Sequence, residues 1–156
     1  MNARAAEAPG RGYFFEDFDV GMKFVSARRT VTSRDIAEFV ELTGVLNPLF
    51  VDHDYATELF GGPIAPGQLT LSLALGLSEP VLHGTAIALL SLDNVRFTSP
   101  LRPETPIEVV TKVVSSRPTK RPDAGIVALA NAVRTDSGET LVTFDRTVLV
   151  KRRGDG

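Results

Sequence analysis

Few residues of this chain can do chemistry, and their spacing narrows what that chemistry is. His53 stands between Asp52 and Asp54, so two carboxylates flank an imidazole able to give or take a proton. The plainer reading is an exposed residue in the first turn of a short helix that Asp52 caps. Asn47 precedes Pro48; its amide can donate to a substrate, or it can simply start a turn. Residues 61–67 read Gly-Gly-Pro-Ile-Ala-Pro-Gly and run directly into Gln-Leu-Thr-Leu-Ser-Leu-Ala-Leu-Gly-Leu. A helix that begins there turns free backbone N–H groups outward beside Gly67, where a carbonyl oxygen or an anion can be held. Thr70 and Ser72 are candidate pocket hydroxyls, although on a buried helix such groups more often bond the preceding turn. His83, before Gly84, reads as structural or solvent-exposed.

Composition removes whole classes of function. The chain has 156 residues, 43% hydrophobic and 23% charged, enough for one domain with a real core. Lys and Arg number 17 against 19 Asp and Glu, so no basic excess points to nucleic acid or to an anionic membrane. Without cysteine there is no disulfide, thiol nucleophile or Cys-ligated zinc, and two histidines argue against a multi-His metal site. Nothing implies a cofactor or a metal. The first ten residues lack the apolar core of a signal peptide, and a cytoplasmic protein is expected.

The elements that must position these residues follow from periodicity. Residues 1–12 and 152–156 read as disordered tails around one domain over 13–151, opened by an aromatic lead-in at 13–21. Residues 22–32 have strand chemistry. Ser33 is the expected N-cap of a helix whose apolar positions 36, 39, 40 and 42 share a face, ended by Thr43-Gly44. A turn region covers 45–51, and Asp52 opens a second short helix. Leucines at 69, 71, 73, 75 and 77 alternate as in a strand. The length of the run, its Leu and Ala content, Pro66 at the first turn and Pro80 at the end predict instead a central helix, apolar all round and buried. Strands are expected over 86–97, 107–116, 126–135 and 140–151, the last two joined by Asp136-Ser137-Gly138-Glu139. The fold class is α+β, an antiparallel sheet wrapped around a buried helix.

The chain resembles the MaoC-like (R)-specific enoyl-CoA hydratase and dehydratase family over about residues 14–150, a hotdog fold. The resemblance rests on Phe15-Glu16-Asp17-Phe18, Val20-Gly21, Arg29-Thr30-Val31-Thr32, Leu42-Thr43-Gly44, Asn47-Pro48, Tyr55-Ala56, Phe60-Gly61, residues 63–67 and Val95-Arg96-Phe97 with Pro100. It implies hydration of a double bond conjugated to an acyl thioester, or the reverse. In the family an Asp-x-Asn-x-x-His motif activates a water, and a backbone N–H at the central helix meets the thioester oxygen. Carried onto this chain, Asn47 fills the Asn position and Gly67 the oxyanion donor, but the Asp position is Val45 and the His position is Phe50. Neither transfers a proton, which leaves His53 as the rearranged candidate. Asp52, Ala65, Pro66, Thr70 and Arg96 are the substrate-binding candidates. Arg96, Arg102, Lys120 and Arg121 are weighed as contacts to coenzyme A phosphates against plain solvated strand ends. Pro103-Glu104-Thr105 stands where the family usually has Pro-Gly-Asp, so that turn can differ.

Three readings stay open. The chain is an enzyme on an acyl-CoA or acyl carrier protein thioester, with an altered site. Alternatively it is the non-catalytic subunit of a heteromeric hydratase, or a binder of another apolar small molecule or specialised biosynthetic protein. The resemblance implies a homodimer or a hotdog heterodimer.

Overall fold

The computed structural model describes residues 4–5 and 10–154. The β-branched second half of the chain forms four long strands, β4 (Ala86–Phe97), β5 (Thr105–Pro118), β6 (Ala124–Thr135) and β7 (Thr140–Lys151). Before them come the short strands β1 (Arg4–Ala5), β2 (Lys23–Val25) and β3 (Arg29–Val31) and the helices α1 (Ser33–Thr43), α2 (Pro48–Val51), α3 (His53–Phe60) and α4 (Gly67–Leu77). The sheet runs β1-β2-β5-β6-β7-β4, with β3 also on β5. Every pairing is antiparallel except β1 with β2. This is the α+β architecture expected, a single antiparallel sheet curved around α4, which packs across β5 and β7.

Several boundaries differ from the sequence expectation for local reasons. The strand expected over 22–32 is two strands, because Ser26 interrupts the ladder: its Oγ accepts the N–H of Val109 at 2.8 Å. The cap of α1 is Thr32, not Ser33. Thr32 Oγ1 accepts from the Asp35 N–H and the Asp35 carboxylate accepts from the Thr32 N–H, a reciprocal capping box. The turn region 45–51 contains α2. The tails expected over 1–12 and 152–156 lie partly outside the described residues. Within them, Gly12 donates to the His83 carbonyl and Arg152 to that of Asp123.

The helix α4 is not buried on all sides. Leu69, Thr70 and Ala74 are buried, while Ser72 and Gly76 are exposed and the leucines at 71, 73, 75 and 77 are half-buried. Alternating leucines on a helix point in every direction, and one sheet covers only a sector of it. The strand β4 forms one end of the sheet and exposes Ile87, Leu89, Leu90 and Phe97.

The inner face of the sheet carries two buried apolar clusters. One is built on Ile107, Val109, Val133 and Phe144, the other on Val113, Val127, Leu129 and Val148. Between them runs a polar row, Thr111 on β5, Asn131 on β6 and Arg146 on β7, all buried. Thr111 donates to Asn131 Oδ1 at 2.9 Å. Arg146 is 4% exposed, and burial lowers its pKa to about 10, so it stays charged at neutral pH. On the outer face Glu108 accepts from Arg134 at 2.8 Å and Arg28 at 3.3 Å. Burial pushes its carboxyl up, and the two guanidinium hydrogen bonds outweigh this and hold it below the usual carboxylate range.

Two stability measurements follow. A base with a lowered folded-state pKa destabilises the fold at every pH below that value, so Arg146→Met is expected to raise stability in urea at pH 7, by about 1–4 kcal/mol. Glu108 has the opposite sign: its stabilisation is present above the ordinary Glu value and lost as pH falls through its lowered one. Glu108→Gln should therefore be less stable than the parent at pH 7, with the difference shrinking below about pH 4. A constant difference across that range would contradict the assignment.

Candidate functional site

The loop 61–66 is pinned before it reaches α4. The Ala65 N–H donates to the Leu101 carbonyl at 2.8 Å, and Arg102 Nη2 donates to the Phe60 carbonyl. Pro66 sits at the N-cap with φ −56°, one residue earlier than a first-turn position. Its ring sets a φ ready for helix, and it has no N–H to satisfy. Gly67 then opens the helix against the ring of Phe97. A Cβ at Gly67 would lie 2.6 Å from Cδ1 and 2.7 Å from Cε1 of that ring, well inside carbon–carbon contact. Only glycine lets strand β4 and the start of α4 come this close.

The result is a cleft of about 480 Å³ at the N-terminus of α4, walled by Phe50, Phe60, Ile64, Phe97, Leu101 and Val142, with Ala65, Gly67, Gln68 and Thr70 on one side. The first N–H groups of a helix have no intrahelical acceptor, and the helix dipole makes that end positive. The cleft can therefore polarise a carbonyl oxygen and stabilise negative charge developing on it. Among the described residues lining it, none has an ionisable side chain.

His53 and Asp52 lie elsewhere. They line a neighbouring cleft of about 190 Å³ with Ser33, Ile36, Ala56 and Pro63. Phe50 and Ile64 border both clefts and form the wall between them. Asp52 caps α3, accepting from the Asp54 and Tyr55 N–H groups at 3.0 and 3.1 Å. Asn47 caps α2, its Oδ1 accepting from the Leu49 N–H at 3.0 Å. Val45 and Phe50 are half-buried against the larger core cluster. Arg96 is exposed on β4, one residue before the wall-forming Phe97. His83 pairs with Glu79 at 2.9 Å on the surface.

At Glu104 the backbone takes φ +61°, so the turn keeps a left-handed residue without glycine. The Glu104 carboxylate accepts from the Ser33 N–H at the start of α1. Arg121 is paired with Asp123 and lines a third cleft, of about 630 Å³, with Arg11, Lys151, Arg152 and Arg153. That cleft lies where β4 begins and β7 ends, the opposite end of the sheet from Phe97.

The structure thus gathers Gly67, Ala65 and Thr70 in one site and leaves His53, Asp52, Asn47 and Arg96 outside its wall. Phe97, Leu101 and Phe60 are the lining residues that motif reading missed. The signal for Phe97 was present as the Arg-Phe pair, but nothing in one dimension places it over Gly67. Gly67→Ala is expected to destabilise the protein in urea by about 1–3 kcal/mol. Phe97→Ala in the same chain should recover most of that loss. An additive double mutant would show that the two residues are not in contact.

Among the described residues no group of acidic, His or Cys side chains could hold a metal, and no helix is long and apolar enough to cross a membrane. The MaoC like domain family matches residues 17–149. Among curated proteins, the chain is 30% identical to a β-methylmalyl-CoA dehydratase of Chloroflexus aurantiacus over 145 residues, 91% of this chain and 41% of that protein. It is also 30% identical to a 3-hydroxybutyryl-CoA dehydratase of Methylorubrum extorquens over 112 residues, 71% and 70% of the two chains. The chain therefore spans less than half the length of the first of these relatives. A solved Mycobacterium tuberculosis structure described as a double hotdog fold superposes with a TM-score of 0.83 at 21% identity, covering 93% of this chain and 46% of the other. With a family match over most of its length and a sheet curved around a central helix, the chain is a hotdog-fold member of the MaoC-like domain family.

Proposed function

We propose that this protein binds an acyl thioester in the cleft at the start of α4 and takes part in its hydration or dehydration. The observation that carries the reading is the start of α4 itself, where Gly67 and Gln68 line a largely apolar cleft. Adding water to a 2-enoyl thioester puts oxygen on the β-carbon and a proton on the α-carbon. Negative charge passes through the thioester oxygen on the way, and that is the charge this helix end stabilises. The relatives named for β-methylmalyl-CoA and 3-hydroxybutyryl-CoA dehydration favour a coenzyme A thioester.

Proton transfer is the part the cleft does not supply. Where the family places its Asp and His, this chain has Val45 and Phe50, and both pack against the core. His53 is the candidate replacement, with a rotation of Phe50 needed to join its cleft to that of Gly67. The absence of an ionisable side chain among the described lining residues favours a second reading. In it the chain holds substrate for a catalytic partner, a second hotdog unit docked along the exposed apolar edge of β4 and the open side of α4. That partner is a copy of this chain or a related subunit.

The deciding experiment is hydration of a panel of trans-2-enoyl-CoA substrates by the parent, by His53→Ala and by Val45→Asp/Phe50→His. Parental turnover that falls roughly 10²–10⁴-fold in His53→Ala supports a rearranged acid–base group. Activity only in the double mutant supports a binding subunit. No turnover and no thioester binding by any variant would remove the acyl-thioester reading.

A further inference from the structure

The cleft of about 630 Å³ at the other end of the sheet from Phe97 carries a charge opposite to that of the chain. The whole chain has a formal net charge of −2. This one hollow is lined by five cations, Arg11, Arg121, Lys151, Arg152 and Arg153, and by a single acid, Asp123. Glu16 and Asp17 stand beside it, paired with Arg152 at 3.0 Å and with Arg153 at 2.6 Å. Five cations against these three carboxylates leave an excess of two positive charges. Among the described residues Arg11 and Lys151 have no carboxylate partner. The Arg11 guanidinium lies over the Phe14 ring at 4.6 Å, and Lys151 Nζ donates to the Gly84 carbonyl at 3.0 Å.

These cations are not a run of solvated strand ends. They come from the aromatic lead-in, the turn between β5 and β6 and the end of β7, and backbone contacts tie the three together. The Gly12 N–H donates to the His83 carbonyl at 2.7 Å. No room is left for a Cβ at Gly12 against the His83 backbone, so the residue after Arg11 is pressed onto the loop before β4. The Lys151 N–H donates to the Thr85 carbonyl and the Arg152 N–H to that of Asp123, both at 2.8 Å. The Arg153 N–H donates to the Glu16 carboxylate at 3.1 Å. Like charges are thus gathered and held against their own repulsion, which an anion in the cleft relieves.

The anion is defined by charge, shape and size. A phosphate group brings close to two negative charges and three acceptor oxygens, and it meets a guanidinium through parallel N–H···O bonds. The ion pairs already present are partly exposed, hence weak, and yield to such a ligand. The hollow has the volume of a small-molecule site. Guanidinium planes and the side chain of Ile87 offer a base surfaces to rest on. A nucleic acid needs a basic track that continues beyond one hollow, and outside this cluster acids outnumber bases. We infer that this cleft is a second ligand site, separate from the one at Gly67, for a small anion with two or more phosphate groups, of the nucleoside polyphosphate class.

The test is a calorimetric titration of the full chain with ATP, pyrophosphate, coenzyme A and a single-stranded oligonucleotide. It is run on the parent, Arg11→Gln, Lys151→Gln and Lys112→Gln, the last being an exposed cation outside the cleft with the same change of charge. The parent is expected to bind ATP or pyrophosphate, more weakly as NaCl rises. Arg11→Gln and Lys151→Gln should each lose roughly 10-fold or more in affinity, and Lys112→Gln should match the parent. Saturating ATP should raise the urea midpoint of the parent and barely move that of Lys151→Gln, a difference that misfolding alone does not produce. No binding of ATP or pyrophosphate overturns the inference, as does an equal loss in Lys112→Gln, which would report net charge alone. Tighter binding of the oligonucleotide at the same salt overturns it in favour of a nucleic-acid surface. Binding of coenzyme A without ATP or pyrophosphate overturns it too, making the cleft the nucleotide end of a thioester site.

Discussion

The close approach of the Phe97 ring to Gly67 is the constraint on which the candidate site depends. It sets how near strand β4 comes to the start of α4, and so shapes the apolar cleft that Gly67 and Phe97 both line. The loop leading in is held from both sides, by Leu101 through Ala65 and by Arg102 through Phe60. A side chain at Gly67 would force strand and helix apart, and the cleft would lose its shape along with its packing.

The interior shows a second tension, between apolar packing and a buried polar row. Most of the sheet's inner face is apolar and alternates as a half-buried strand should. The row of Thr111, Asn131 and Arg146 breaks that face into two clusters. Thr111 and Asn131 satisfy one another, but Arg146 does not find its partner within the described chain. A core built only for stability would place an aliphatic residue there. Arg146 shares a strand face with Val142, four residues away on β7.

Helix α4 and strand β4 leave apolar surface uncovered among the described residues. The sheet covers one side of the helix, and the strand that ends the sheet carries leucines outward. The chain matches only 41% of the Chloroflexus aurantiacus dehydratase and superposes on 46% of a structure described as a double hotdog fold.

Much of the fold was legible in one dimension because its signals are local. β-branched runs separated by Asp136-Ser137-Gly138-Glu139 mark strands, Pro66 starts a helix, and Gly44 in the left-handed region ends one. Gly67 at the head of that helix was legible for the same reason, as were Val at position 45 and Phe at position 50. What the sequence by itself determined, then, is which segments become helix or strand and which side chains are present to react. Tertiary structure alone decided which of them meet. Phe97 covers Gly67 across a gap of 30 residues, Phe50 and Ile64 wall His53 off from the cleft, and Arg146 lies buried among apolar neighbours. Each of these depends on how strands register and how a helix crosses a sheet, which are summed over many long-range contacts. No spacing along the chain records them.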